Sequence, residues 1–377
     1  MKINKYVILV CRILVGLTFI FSGFVKAVDP VGSQIKISEY LLVYGLEWLV
    51  PMALIMGILL CSLEFILGAS LIFGVKSRII TTTALLLMAF FTIQTLFSAI
   101  KNPVTDCGCF GDALKLTNWN TFYKNVVLII LAFILFLARK DIKPIFSRFP
   151  QWNIIGIAAL IIFFVAINSY RFLPMIDFLP YKTGKDIKKQ MIIPEGAPRD
   201  VYKTVLIYRN KKSKETKEFS DNNIPNDNVW EWIETKNELI KEGYKPPIHD
   251  FTITSLDGED LTQKFLAEDG YRILIVQELL KNSLPKGQRE LNLLVSDLIK
   301  DHEVKIWALT SSLEAEVRKY SKENNVKYTF YNTDQTTLKT IIRSNPGILL
   351  LKNNLILKKW PSRRIPEAKE VYKYLYK

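Results

Sequence analysis

The stretch NIIGIAALIIFFVAINSY, residues 153–170, decides the class of fold because it runs for eighteen residues without a charge. A helix needs roughly 20 predominantly apolar residues to cross the hydrocarbon core of a bilayer. Four further apolar stretches of similar length precede it, at residues 6–27, 48–75, 79–100 and 119–138. The sequence therefore predicts five transmembrane helices.

The charges divide the 377-residue chain into two unlike halves. Residues 1–170 hold seven acidic and 14 basic residues, whereas residues 171–377 hold 29 acidic and 36 basic residues. The net charge of +14 is thus shared equally, and in the apolar half a basic excess is typical of topology bias. No basic run is interleaved with aromatic residues, as a nucleic-acid site would require. We expect the lipid bilayer as a partner, and no nucleic acid.

The loops between the predicted helices differ in their basic residues, and this difference indicates the orientation. Eight basic residues lie on one face, against five in the longer loops of the other face. Cytoplasmic loops carry the excess of Lys and Arg. We therefore predict a bacterial inner-membrane protein with a cytoplasmic N-terminus, and five crossings place the C-terminal half in the periplasm. The cytoplasmic set is Lys2, Lys5, Lys76, Arg78, Arg139, Lys140, Lys143 and Arg148, and the outer set is Lys26, Lys36, Lys101, Lys115 and Lys124.

Four charges fall inside predicted spans: Arg12 and Lys26 in the first, Glu64 in the second and Lys124 in the fourth. The Lys124 side chain can extend to the nearer surface, so the intramembrane polar residues singled out are Arg12, Lys26 and Glu64. Charges in a bilayer are costly and usually paired. At 1.5 Å per residue, Arg12 lies roughly 9 Å and Glu64 roughly 17 Å from the same cytoplasmic surface. One interpretation is an Arg12–Glu64 ion pair that joins the first two helices. The alternatives are a proton or quinone site at Glu64, or a protonated Glu64 bonded to a neighbouring helix.

A pair of cysteines lies in KNPVTDCGCFGD, residues 101–112, in the outer loop between the third and fourth spans. Disulfides form and persist in the periplasm. A bridge between Cys107 and Cys109 would close a very small ring, in which Gly108 allows the tight backbone bend. Strain makes a disulfide easier to reduce, so the pair is a candidate redox centre. The alternatives are a structural disulfide, two free thiols that fix the loop, or metal ligation.

The remaining cysteines and histidines bear on these alternatives. A zinc site needs further Cys or His ligands, but His249 and His302 are the only histidines and lie far downstream. We therefore predict no metal site. Cys11 and Cys61 fall within spans and are interpreted as core residues, because free cysteine packs as a small hydrophobe.

Three motifs in the first half resemble a known family. The run CRILVGLTFIFSGFVKAVDP, residues 11–30, contains an arginine, small residues, Lys26 and an Asp-Pro pair. The run LEFILGASLIFG, residues 63–74, holds Glu64 followed by a glycine. With the Cys-x-Cys-Phe-Gly loop, these motifs make residues 6–140 resemble the DoxX/MauE membrane family, which has a four-helix core. The resemblance implies periplasmic thiol oxidation, disulfide formation in a partner, or quinone-coupled redox chemistry.

The outer half begins with a proline-containing linker and a small extension. Residues 201–210 and 216–219 predict a β-hairpin around the turn KKSKE. Residues 226–243 predict a helix that begins at an Asn or Asp cap and ends at a glycine.

From residue 246 the pattern alternates strands and helices, which is typical of an α/β layer fold. The order, and the run SNPGILLLKNNLIL near the end, resemble the thioredoxin fold over residues 246–377. Pro346 stands at the position of that family's cis-proline, beside its active-site dithiol. After the strand that ends near Val276, however, the chain reads QELLKNSLPKGQRE, where the family carries Cys-x-x-Cys. Without sulfur this domain has no thiol exchange of its own; it either binds a partner or serves as a spacer.

The predicted architecture is an α-helical transmembrane bundle, with a four-helix core plus a fifth span, followed by an α/β thioredoxin-like domain. The expected divisions are a four-helix membrane domain, a fifth span, a linker with a hairpin-helix extension, and the thioredoxin-like domain. Their boundaries are residues 1–140, 141–170, 171–245 and 246–377.

The leading functional hypothesis is thiol–disulfide redox chemistry in the periplasm. The Cys107–Cys109 disulfide would accept electrons from the thiols of an unidentified partner protein and pass them to a membrane quinone, the one candidate cofactor. The acidic neighbours Asp106 and Asp112 are expected to raise the pKa of both thiols. The alternative is a non-enzymatic membrane tether or assembly factor, whose thioredoxin-like domain binds an envelope protein.

Overall fold

The computed structural model describes most of the 377-residue chain. Of the residues used above, Lys2, Asp106, Arg148 and His302 lie outside the described ranges. The described residues are 3–104, 107–146, 150–220, 223–225, 229–241, 243–300 and 304–375.

The first half is a bundle of long helices, as the apolar stretches predict. Each of the five predicted spans is a helix long and apolar enough to cross a membrane, so the protein is a multi-pass membrane protein. A short 3₁₀ segment, Glu47–Met52, contains Pro51 and leads into the second of these spans. The helices are α1 (Lys5–Val28), α3 (Ala53–Phe73), α4 (Ser77–Lys101), α5 (Asn118–Leu137) and α6 (Gln151–Arg171).

One helix of this half was not predicted. Helix α2 (Pro30–Val43) follows α1 directly, and its N-cap Asp29 accepts a hydrogen bond from the Gly32 amide at 2.9 Å. An Asp cap followed by proline at the first helical position is a known start signal. The helix mixes polar and apolar residues, so a search for transmembrane helices passes over it.

Helices α1 and α3 approach each other closely through glycines. A Cβ atom built on Gly23 would lie 2.5 Å from the Cys61 carbonyl oxygen, and one on Gly68 would lie 2.5 Å from the Gly16 carbonyl oxygen. Small residues let helix backbones meet in this way in membranes. The contact sets the position of α1 along the axis of α3, and this position decides which charged side chains of the two helices can meet.

After the bundle, a short helix α7 (Ile187–Met191) leads to an antiparallel sheet in the order β2–β1–β3. Its strands are β1 (Val201–Asn210), β2 (Thr216–Ser220) and β3 (Trp230–Lys241), so the predicted hairpin is present. The predicted helix at 226–243 is wrong, because its described part is β3, which pairs with β1 along its length. Trp230 packs edge-on against Phe219 of β2, with ring centroids 5.3 Å apart. Aromatic packing and pairing with β1 outweigh the local helix signal.

The last part is a five-stranded mixed sheet in the order β6–β5–β4–β7–β8. Strands β4, β5 and β6 are parallel, whereas β7 and β8 pair antiparallel. This is the thioredoxin-like arrangement expected from the sequence, except that residues 250–260 form only isolated bridges. The strands are β4 (Tyr271–Val276), β5 (Val304–Thr310), β6 (Phe330–Asn332), β7 (Gly347–Lys352) and β8 (Leu355–Pro361). The helices are α8 (Thr262–Ala267), α9 (Pro285–Lys300), α10 (Glu314–Glu323), α11 (Gln335–Ile341) and α12 (Ala368–Leu375).

Candidate functional site

A cavity of about 750 Å³ lies among helices α1 to α5. Most of its wall is apolar, as expected between membrane helices, and α2 closes one side with Lys36 and Tyr40. The Cys107–Gly108–Cys109 segment forms part of the same wall. The cavity therefore brings the loop cysteines together with the charged residues of the spans.

The two loop cysteines are free thiols whose Sγ atoms lie 2.8 Å apart. Gly108 between them has a φ of +65°, and a Cβ atom there would meet Lys36 Cγ at 2.9 Å. Glycine is therefore required both by the backbone conformation and by the lack of space. The Ser22 hydroxyl of α1 donates to the Cys109 carbonyl oxygen at 2.8 Å. These contacts hold the cysteine hairpin, which we define as residues 107–113, against α1 and α2.

A buried ion pair lies next to this hairpin. Lys26 Nζ donates to both carboxylate oxygens of Glu64, at 2.6 and 2.9 Å, and to the Ser22 hydroxyl at 3.1 Å. Glu64 is fully buried, and Lys26 is 9% exposed. Because Ser22 in turn contacts Cys109, a continuous hydrogen-bonded chain connects the carboxylate to the hairpin.

The expected Arg12–Glu64 ion pair is wrong. Arg12 instead donates from Nε to the Leu71 carbonyl at 3.0 Å and from Nη2 to the Ile72 carbonyl at 2.8 Å. These carbonyls belong to the last turn of α3, where helix carbonyls have no partner within the helix and carry partial negative charge. The guanidinium therefore caps α3 near the cytoplasmic end proposed from the charges.

The two thiols of the hairpin differ in acidity. A hydrogen bond from Cys107 lowers the pKa of Cys109 to about 6, with the positive charges of Lys124 and Lys26 acting in the same direction against burial. The pKa of Cys107 is raised, first by its hydrogen bond to Cys109 and then by burial. A thiolate is thus favoured at Cys109, and the sequence expectation of two raised pKa values is wrong for this residue.

The acidic neighbour expected to act on the thiols is neutralised by other groups. Asp112 lies 3.5 Å from the Lys115 ammonium and 3.5 Å from the Arg343 guanidinium, whereas Asp106 lies outside the described residues. A paired carboxylate exerts a weaker field on a nearby thiol than a free one. The expectation fails at Cys109 chiefly because the hydrogen bond from Cys107 favours its thiolate.

The thioredoxin-like domain contacts the membrane region beside the hairpin. Arg343 Nη2 lies 2.8 Å from Asp29 Oδ2, and Arg343 Nε lies 3.1 and 3.0 Å from the two carboxylate oxygens. A second ion pair joins Lys359 of β8 to Asp177 of the linker at 2.9 Å. Sequence analysis missed Arg343, because a contact between residues so far apart in the chain leaves no local signal.

The dithiol position of the thioredoxin fold carries no sulfur in this chain. The Asn345–Pro346 peptide bond is cis, and the chain has no cysteine after Cys109. Gln277, which follows β4, is fully buried and donates to Ser283 at 2.8 Å and to Gln288 at 3.0 Å. A hydrogen-bonded amide cluster thus fills the region where the family carries its first cysteine.

Other residues singled out in the sequence lie away from the site. Cys11 and Cys61 are buried free thiols in the helix core. His249 lies on the other domain, where its ring nitrogen is 3.3 Å from the Pro246 carbonyl oxygen. Within the described ranges, no group of three or more His, Cys, Asp or Glu side chains is placed to hold a metal ion.

The helices, the cavity and the C-terminal sheet define the class: a multi-pass membrane protein that carries a thioredoxin-like domain. Residues 4–138 match the family model described as methylamine utilisation protein MauE. The membrane region is therefore MauE-like, which confirms that part of the expected resemblance, while the resemblance to DoxX stays a prediction. Residues 202–242, which contain the three-stranded sheet, match a domain of unknown function (DUF8463). No curated protein matches the chain.

Solved structures similar to the chain include several thioredoxin-like proteins. A thiol-disulfide oxidoreductase from Bacteroides fragilis NCTC 9343 is 16% identical over 33% of this chain and 94% of its own, with a TM-score of 0.27. A thiol peroxidase from Chromobacterium violaceum is 13% identical over 34% and 83%, with a TM-score of 0.28. A thioredoxin-like protein from Bacteroides caccae is 10% identical over 79% and 82%, with a TM-score of 0.24. The fold of this chain rests on its own strand order rather than on these scores.

Proposed function

We propose that the protein is a membrane thiol–disulfide oxidoreductase whose redox centre is the Cys107–Cys109 pair. The observation that carries the proposal is the 2.8 Å separation of the two sulfur atoms at the wall of a cavity between membrane helices. Two thiols at this distance need little movement to form a disulfide, which is about 2.05 Å long. Their place beside the cavity gives the electrons a route to a molecule dissolved in the membrane.

The reaction balances as an exchange of two electrons and two protons. A thiolate of a partner protein attacks the Cys107–Cys109 disulfide and forms a mixed disulfide. The second partner thiol then displaces the mixed bond, so that the partner gains a disulfide and Cys107 and Cys109 become thiols. Cys109 is the better leaving group, because the positive charges of Lys124 and Lys26 favour its thiolate and thiols of lower pKa leave faster.

The cavity fits a quinone as the electron acceptor. Its volume of about 750 Å³ lies within the range of small-molecule pockets, and its wall is mainly apolar. Gln94 Nε2 is buried there without a hydrogen-bond partner among the described residues, while its Oε1 accepts from the Tyr44 hydroxyl. A carbonyl oxygen would satisfy the Gln94 amide. When bound, a quinone would supply a two-electron, two-proton acceptor.

The intramembrane charges have separate roles in this proposal. Lys26 keeps a positive charge near Cys109 and holds Ser22, which in turn holds the hairpin. Glu64 stabilises that buried ammonium. Arg12 caps α3 and lies outside the exchange centre.

The proposed orientation places the hairpin and the thioredoxin-like domain together in the periplasm. Their contact through Arg343 supports one shared side for both. The N-terminus would then be cytoplasmic and the membrane the bacterial inner membrane, as the basic loops indicate. An oxidising compartment would keep the resting hairpin as a disulfide.

A double replacement of Cys107 and Cys109 with serine tests the proposal in intact cells. We expect it to abolish thiol oxidation of the partner, whereas replacing Cys11 and Cys61 together should leave that activity intact. A non-enzymatic tether remains the competing function, and the absence of cysteine from the thioredoxin-like domain favours it. A tether would keep its activity in the loop variant, and that result would overturn the redox proposal.

A further inference from the structure

We infer that the thioredoxin-like domain acts on its own chain as a clamp for the cysteine hairpin, with Arg343 as the positioning residue. This role gives a use to a domain that carries no thiol. The inference concerns the position of the hairpin. Only the effect of the clamp on thiol–disulfide exchange rests on the proposed function.

The geometry of Arg343 is that of a fixed side chain rather than a surface charge. Its side chain is only 4% exposed. Nη1 donates to the Lys339 carbonyl at 2.7 Å, which holds the guanidinium to the end of α11. Nε and Nη2 then present two donors to the Asp29 carboxylate, the bidentate arrangement that gives Arg–carboxylate pairs their strength and direction.

The two carboxylates that Arg343 contacts come from the two elements that border the redox centre. Asp29 stands between α1 and α2, whose side chains line the cavity, and it also caps α2. Asp112 belongs to the hairpin and lies three residues after Cys109. One guanidinium therefore joins the helical wall, the hairpin and the outer domain.

Loss of the guanidinium should release the hairpin. Without it, the partly buried Asp29 and Asp112 carboxylates face each other without the positive charge between them. The contact of Arg343 with the hairpin is a 3.5 Å ion pair to the partly exposed Asp112, and pairs of this kind correspond to about two- to fivefold in an equilibrium constant. We therefore expect the hairpin to open roughly two- to fivefold more often.

The test is hydrogen–deuterium exchange on the full chain in lipid nanodiscs, comparing the unmodified protein with Arg343→Gln. We expect amides of residues 109–113 to exchange roughly two- to fivefold faster in the variant. Peptides from β4 and β7 should be unchanged, which would show that the domain remains folded. The matched control Arg363→Gln removes an exposed arginine and should change neither region. Arg343→Lys keeps the positive charge but loses the bidentate geometry of the guanidinium, so the hairpin amides should exchange at a rate between those of the unmodified protein and Arg343→Gln.

A second variant keeps the inference falsifiable if Arg343→Gln unfolds the domain. Asp29→Asn keeps a good helix cap for α2 but loses the charge that Arg343 binds. It should also accelerate exchange in the hairpin. Unchanged hairpin exchange in Asp29→Asn, or in a folded Arg343→Gln, would overturn the clamp. These hydrogen exchange rates do not depend on thiol chemistry, so the experiment can be repeated with Cys107 and Cys109 both replaced by serine. The clamp can therefore be tested even if the redox proposal fails.

Discussion

Replacing Glu64 with glutamine removes the negative partner of a largely buried lysine. The Lys26 ammonium lies 2.6 and 2.9 Å from the two carboxylate oxygens, and Glu64 is fully buried. Breaking a buried ion pair by removing one partner costs about 3–5 kcal/mol, because the remaining charge is uncompensated. We expect Glu64→Gln to lower the free energy of unfolding by that amount, measured by titration with SDS in mixed micelles.

Glu39→Gln provides the matched control for this experiment. Glu39 also pairs with a lysine, Lys36, at 3.0 Å, but its side chain is 38% exposed. Exposed pairs contribute about 0–1 kcal/mol. The same chemical change should therefore have little effect at position 39.

A double-mutant cycle separates the observed pairing from the one expected from sequence. Lys26→Met combined with Glu64→Gln should recover much of the lost stability, because no unpaired charge then remains in the bilayer. Arg12→Met combined with Glu64→Gln should be additive within about 0.5 kcal/mol, because the two residues share no contact. A decrease of less than about 1 kcal/mol in the free energy of unfolding of Glu64→Gln, or strong coupling of Glu64 to Arg12, would contradict the buried Lys26–Glu64 ion pair.

Three further predictions concern the hairpin. Gly108→Ala should destabilise the hairpin by roughly 1–2 kcal/mol, because the φ of +65° at this position disfavours a side chain, and hydrogen exchange of the hairpin amides should be faster. The control Gly156→Ala lies in open space on α6 and should leave the stability unchanged or raise it. Alkylation of Cys109 in the reduced protein should reach half its maximal rate near pH 6, since its pKa is lowered to about 6 and the thiolate reacts. In Lys124→Met the pH of half-maximal alkylation of Cys109 should rise, because a positive charge that favours the thiolate is lost. An unchanged pH of half-maximal alkylation would show that Lys124 does not lower the pKa of Cys109. Ser22→Ala should weaken the hold on the Cys109 carbonyl by about 1 kcal/mol, measured as faster exchange across the hairpin.

The sequence predicted those features that depend on local pattern. Long apolar runs led to the five spans, and alternating short strands and helices led to the thioredoxin-like domain. The cysteine hairpin stood out because a single glycine separates its two cysteines in the chain. The features missed are those decided by packing between distant segments.

The partner of Glu64 shows why such features escape local reasoning. Depth along each helix placed Arg12 and Glu64 near one surface, but depth says nothing about the direction of a side chain. Lys26 starts from the last turn of α1 and reaches back along the bundle to Glu64, as a long lysine stem can. Strand β3 was missed for a related reason, since it is defined by its pairing with β1. Helix α2 has a local start signal at Asp29 and Pro30, but a search for apolar spans passes over it.

The redox state of the hairpin is the most direct test of the central claim. We propose titrating the Cys11→Ser/Cys61→Ser protein in membranes against glutathione and dithiothreitol buffers, with mass-tagged maleimide as the readout. We predict that Cys107 and Cys109 gain two tags together, with a two-electron midpoint between about −270 and −120 mV, the range of exchanging disulfides. If the pair stays oxidised below about −300 mV, as structural disulfides do, or never becomes disulfide-linked, the account is contradicted.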